Sequence, residues 1–244
     1  MGSENPGSRM TYGNFLQLDE LLSLQSGPEG YDPAPSNHEM HFIVVHQAFE
    51  LWFKQVNREL EEALHLLNVP DVEENKIPVV VSHLERCSEI FRLLASQWKV
   101  METLSPQDFL AFRDRLGTSS GFESWQMRTL EMLLGLKSEQ RVGGMDPMEH
   151  NRKLHSEGKL SDSVMANMNR IDELPSLNEV LSRWLARTPV NGVSGDTEIL
   201  QSYVEGHLSS MVEHGESVIA HMVKIGHGTE ESIRPRIESG IAGA

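Results

Sequence analysis

Between His38 and Val69, bulky side chains recur at alternating steps of three and four: Phe42, His46, Phe49, Phe53, Val56, Leu60 and Leu64. That rhythm is one stripe of a long amphipathic helix, with Arg58, Glu59, Glu61 and Glu62 on its other faces. A lone helix cannot bury such a stripe, so the chain must supply further helices to cover it. The stripe opens with HEMHFIVVHQAFELWFKQ, residues 38–55, which sets an imidazole, His46, among phenyl rings. A histidine in an apolar stripe is most often a core residue bonded to a backbone carbonyl, because buried polar groups find partners.

The remaining chain offers those helices. Residues 11–25, TYGNFLQLDELLSLQ, predict a short helix, followed by a Gly- and Pro-rich loop that ends at a candidate N-cap, Asn37. Lys76 to about Met101 is helical, with Val79, Leu84, Ile90, Leu93, Leu94 and Trp98 as its apolar residues. Beyond Pro106, Phe109 to Leu116 predicts a short helix, and the turn GTSSGFES leads into another from about Ser124 to Leu136. Residues 137–173 are polar and loop-rich, with room for short helices. LPSLNEVLSRWLAR, residues 174–187, predicts a helix with Pro175 near its first turn, and a final helix runs from about Thr197 to Gly226. Nothing alternates as a strand would, and no repeat occurs. The expected fold is all-α, with residues 1–10 a flexible arm and residues 11–244 one helical domain.

A net charge of −15 argues against nucleic acid and anionic membranes, which need a Lys/Arg surplus. No run approaches the length of a membrane span, and the polar N-terminus lacks the apolar region of a secretory signal. The single cysteine, Cys87, excludes an internal disulfide and reads as a buried thiol in a reducing compartment. A cytoplasmic protein is expected.

The final helix carries His207, His214 and His221, spaced by sevens on one stripe that drifts about 20° per heptad. Neighbours in that row stand roughly 10 Å apart, from a rise of about 1.5 Å per residue. They cannot share one metal ion; at most one can be an axial ligand to something large and planar.

Four segments, TYGNFLQLDELLSLQ, HEMHFIVVHQAFELWFKQ, SQWKVMETLSPQDFLAFRDRLGTSSGFESWQMR and LPSLNEVLSRWLAR, resemble the tryptophan 2,3-dioxygenase superfamily of haem-dependent aromatic oxygenases, in the family's order. The resemblance implies a helical bundle around haem b and an oxygenase acting at the indole C2–C3 bond. It makes His46 the distal catalytic histidine that receives the substrate's indole N–H, with Phe42 as a pocket wall. Arg113 becomes the clamp on the substrate carboxylate, a task suited to a guanidinium that forms two parallel hydrogen bonds. Ser120 lies near haem and substrate, Trp98 and Leu116 line the haem, and Thr229 contacts the amino-acid end of the substrate. Without the resemblance, Arg113 and Ser120 read as surface and turn residues, and Trp98 and Leu116 as packing. His214 matches the axial ligand of the haem iron, counted back from Gly228-Thr229. Tyr12 matches an arm residue that reaches a neighbouring subunit's pocket, which implies a homo-oligomer, a tetramer or a dimer.

The chain departs from the family at Phe15, where a tyrosine is common, and at Glu230 and Glu231, where a Gly-Gly pair is usual. Negative charge beside the recognition loop should weaken carboxylate binding unless those side chains turn away. The departures suggest a divergent member acting on tryptophan or a ring- or β-substituted tryptophan, by ring cleavage to an N-formylkynurenine or by single-oxygen insertion to a 2-oxindole. Two other readings stand beside this one. His38, Glu39, His41, His46 and Glu50 could serve a non-haem metal enzyme, although their spacing is not that of an HExxH pair. A non-catalytic helical interaction protein would use the histidine row as a protonation-sensitive face.

Overall fold

The computed structural model describes residues 10–27, 32–141, 144–188, 197–224 and 228–242, and among these every regular element is helical. The chain divides into two compact units, residues 1–183 and 184–244.

The first unit is organised on α3 (Asn37–Leu67), whose start is capped by Ser36, not Asn37: the Ser36 hydroxyl accepts the Glu39 N–H at 3.2 Å. The stripe behaves as its spacing predicts, with Phe49, Val56, Leu60 and Leu64 buried. Against it lies α4 (Ile77–Met101), started by a proline in its first turn. Here the expected face is partly wrong. Val80, Cys87, Ile90 and Leu94 are buried, whereas Val79, Leu93 and Trp98 are exposed. The steps of seven, three and four from Val80 make the true stripe, and Val79 and Leu93 each sit one residue off it. The core is closed by Leu130 and Leu133 of α6 (Trp125–Leu134), Ile171 of α8 (Asp162–Asp172) and Val180 of α9 (Leu177–Arg187).

Several boundaries differ from expectation for local reasons. Residues 11–25 form two helices, α1 (Tyr12–Leu16) and α2 (Leu18–Ser23), because Gln17 adopts a left-handed backbone at φ 51°. The helix expected over Phe109–Leu116 splits into α5 (Pro106–Leu110) and a 3-10 turn, Arg113–Leu116. Pro175 stands two residues before α9, near its first turn as expected. Residues 147–172, read as mostly loop, hold α7 (Pro147–Ser156) and α8, capped by Asp146 and Ser161 and joined by a small core of Met148, Met165 and Met168. At the end of α6, Gly135 is left-handed, and a side chain there would collide with Ser176 Oγ at 2.6 Å.

Glu59, expected on a polar face, is buried with a side chain only 5% exposed. Its carboxylate holds two partners across the α3–α4 interface, Arg86 Nη1 at 2.7 Å to each oxygen and His83 Nδ1 at 2.5 Å, with Gln55 from its own helix. Burial pushes the acid up, but these donors outweigh it and hold the carboxyl below its ordinary value.

The second unit contains α10 (Thr197–Lys224) and α11 (Glu230–Ala242), the latter absent from the sequence-based expectation. Ile219 and Ile233 are its buried apolar contacts. Arg234 joins the two helices: it pairs with Glu216 of α10 through both terminal nitrogens, with Glu230 at 2.6 Å and with Glu238 at 3.4 Å.

Candidate functional site

The first turns of α3 bring together three residues of the first unit. Glu39, Phe42 and His46 stand at i, i+3 and i+7, one face of the helix. His46 Nδ1 lies 2.8 Å from the Phe42 carbonyl. A carbonyl only accepts, so Nδ1 carries the hydrogen, and in the neutral ring the Nε2 lone pair is left to accept from another donor. The commoner fate of a core histidine is therefore met at one nitrogen. The Phe42 ring stacks on the imidazole with centroids 4.0 Å apart.

Two residues that sequence reasoning passed over complete this wall. Phe109 and Phe112 pack edge-on to each other at 5.4 Å, and both reach Phe42, at 5.8 and 5.6 Å. Their i,i+3 spacing was the available signal, obscured because α5 ends at Leu110 and a 3-10 turn starts only at Arg113. Phe112 is 3% exposed and immediately precedes Arg113, so the aromatic cluster carries the arginine's backbone to the histidine's helix. The Arg113 side chain donates to the Gly117 carbonyl at 2.9 Å, closing its own turn and using one of five N–H donors.

Further ties fix this segment on α3. His38 Nε2 faces Asp108 Oδ1 at 3.5 Å, and His41 Nε2 donates to the Val100 carbonyl at 3.1 Å. Arg115 Nη1 meets Glu39 Oε2 at 2.9 Å, and Arg115 Nη2 donates to the Pro33 carbonyl at 2.6 Å. Ser120 caps the next 3-10 turn by accepting the Phe122 N–H at 3.3 Å, and Leu116 is half-buried beside it. Trp98 packs on Phe49 at 5.1 Å while remaining 54% exposed.

The segment after α2 is tied to α3. Gln47 donates to the Leu24 carbonyl at 3.0 Å and accepts from Gln25 at 2.6 Å. Tyr12 and Phe15 themselves are 76% and 73% exposed.

In the second unit, His207, His214 and His221 are all exposed on α10. Met211 and Val218 flank His214 along its face, at i−3 and i+4. Thr229 occupies the N-cap position of α11, its carbonyl accepting the Ser232 and Ile233 N–H groups at 3.0 and 3.1 Å. The two glutamates behind it behave differently from a bare negative loop. Glu230 is turned onto Arg234, and both lie in the first turn of α11, where the helix dipole favours anions. Among the described residues, no group of three or more His, Cys, Asp or Glu side chains is placed to hold a metal ion, and no helix is long and apolar enough to cross a membrane.

A family model described as tryptophan 2,3-dioxygenase matches residues 2–224. The tryptophan 2,3-dioxygenase of Alteromonas mediterranea is 39% identical over 179 residues, 73% of this chain and 48% of that protein. Those of Sorangium cellulosum and Aedes aegypti are 36% and 37% identical, covering 85% and 89% of this chain and 50% and 56% of theirs. The chain spans about half the length of the relatives it matches.

Proposed function

Because the chain belongs to the tryptophan 2,3-dioxygenase family, we propose that it is a haem-dependent oxygenase of the indole C2–C3 region of L-tryptophan or a ring- or β-substituted tryptophan. The observation that supports this reading most directly is the His46 hydrogen bond to the Phe42 carbonyl, which leaves an imidazole acceptor beside an aromatic wall. An indole N–H donates to Nε2 while its ring lies against Phe42; the aromatic neighbours exclude water and strengthen that bond. Arg113 receives the carboxylate with the donors that Gly117 does not use, so the substrate is held at both ends.

The residues fit haem b. In the second unit His214 offers an exposed imidazole flanked by apolar Met211 and Val218, a donor type and setting that haem iron accepts, and in the first unit Trp98 and Leu116 are apolar side chains of the kind that line a porphyrin. When bound, the haem supplies the activation of oxygen that no side chain of this chain provides. Ser120 would offer a hydroxyl near haem and substrate, and Thr229 would contact the amino-acid end of the substrate. Residues 11–244 then act as one catalytic domain. Glu230 is turned onto Arg234 of its own helix at 2.6 Å, so its carboxylate is directed to a cation and not left bare in the loop. In this reading the protein is a cytoplasmic homo-oligomer, a tetramer or dimer, and exposed Tyr12 serves a neighbouring subunit.

The test is the visible spectrum of the haem-loaded protein, ferric and then reduced, with and without L-tryptophan. A Soret band that moves on tryptophan addition is expected; product mass then separates ring cleavage, with two oxygen atoms added, from 2-oxindole formation, with one. A band that ignores tryptophan refutes it as the substrate. His214→Ala is expected to abolish stable haem incorporation while His207→Ala and His221→Ala retain it, measured as haem per chain; loss with either of the latter instead refutes the assignment.

A further inference from the structure

We propose that Arg115 and Glu39 form a positioning clamp that sets Arg113 against His46; the proposal rests on the reading that Arg113 holds the substrate carboxylate. Glu39 is 3% exposed, at the first turn of α3, on the same face as Phe42 and His46. Arg115 reaches it at 2.9 Å from the 3-10 turn that also carries Arg113. The second arm of the same guanidinium takes the Pro33 carbonyl at 2.6 Å, so one side chain ties the turn to α3 and to the segment leading into it.

The turn is thus fastened to one helix face on both sides of Arg113. Phe112 holds the residue before it to Phe42 at 5.6 Å, and Arg115 holds the residue two beyond it to Glu39. Among the described residues the Arg113 side chain bonds only the Gly117 carbonyl, within its own turn, and so does not fix where that turn stands. A buried carboxylate that loses its cation is strongly disfavoured, which makes the Glu39–Arg115 distance a stiff constraint. The pairing has a second effect. It commits the Arg115 charge to Glu39, so Arg113 is left as the arginine of that turn available to the substrate carboxylate. Arg115 acts through Arg113 and is a positioning residue, not a catalytic one.

The test uses haem-loaded full-length protein titrated with L-tryptophan and with tryptamine, which lacks the carboxylate, each followed by the Soret shift. Arg115→Met is expected to weaken L-tryptophan binding about tenfold, since a misplaced clamp forfeits orientation, and to leave haem content and tryptamine affinity unchanged. Arg115→Lys, which keeps the ion pair and loses the bond to Pro33, is expected to restore most of the affinity. In an Arg113→Ala background, Arg115→Met should change L-tryptophan affinity by less than about twofold, the mark of two residues acting through one contact. The pair Arg115→Met/Glu39→Gln removes both charges and supplies the same measurement if the single variant does not fold. Equal losses for tryptophan and tryptamine, or an undiminished loss in the Arg113→Ala background, would overturn the clamp. Wild-type protein that binds haem but neither ligand would overturn the functional reading, and the clamp with it.

Discussion

Replacing Phe112 by leucine isolates what the aromatic wall contributes. The side chain is 3% exposed, and its ring meets Phe42 at 5.6 Å and Phe109 at 5.4 Å, both edge-on. Leucine keeps most of the apolar burial but loses both ring–ring contacts. Edge-to-face pairs contribute about 0.5–1.5 kcal/mol each beyond buried area, so two give roughly 1–3 kcal/mol. Phe112→Ala adds a cavity and should reach about 3–5 kcal/mol. Because the chain has two compact units, the assay must report on the first alone. Amide hydrogen exchange of the α3 segment 39–46, read by mass spectrometry against denaturant, does so. The same preparation gives the L-tryptophan affinity of the haem-loaded protein, which is expected to fall with Phe112→Leu because Phe42 and Arg113 lose their common support. A leucine variant within about 0.5 kcal/mol of the wild type would refute the claim that edge-on ring contacts hold this segment on α3.

Two further outcomes follow from buried ionisable groups. Burial pushes the Cys87 thiol up to about 11, so an alkylating reagent at about pH 8 should leave the native protein unmodified and label it only as the first unit unfolds; native labelling within minutes would contradict that burial. Glu59 is held below the ordinary 4.5, so its stabilisation is present above that value and is lost as pH falls through the lower folded one. Glu59→Gln should flatten the acid limb of stability below about pH 4.5, and an unaltered limb in acid denaturation curves would assign it to other carboxylates.

What the sequence disclosed and what it hid divide along physical lines. The α3 stripe was legible because seven positions on one long helix repeat a single period, and local slips cannot shift it. The α4 face was not, because apolar residues such as Val79, Val80 and Val81 stand side by side, and only the packed partner decides which one turns inward. Glu59 looked solvated because carboxylates usually are; its burial depends on His83 and Arg86, 24 and 27 residues away. His46, Phe42 and Arg113 could be named from the family resemblance. Their joint support by Phe109, Phe112, Arg115 and Glu39 could not, since it rests on contacts between elements over 60 residues apart in the chain. The short helices within 147–172 were masked by their polar composition, because three methionines make their core and the usual branched aliphatic signal is missing.

The placement of Glu39, Phe42 and His46 on one uninterrupted helix also limits how such a pocket can diversify. Adding or deleting a residue between Glu39 and His46 would rotate one against the other by about 100°, separating the clamp from the imidazole at a stroke. Length changes should therefore be purged from residues 39–46, and new substrate preferences there must arise by exchange of one side chain for another.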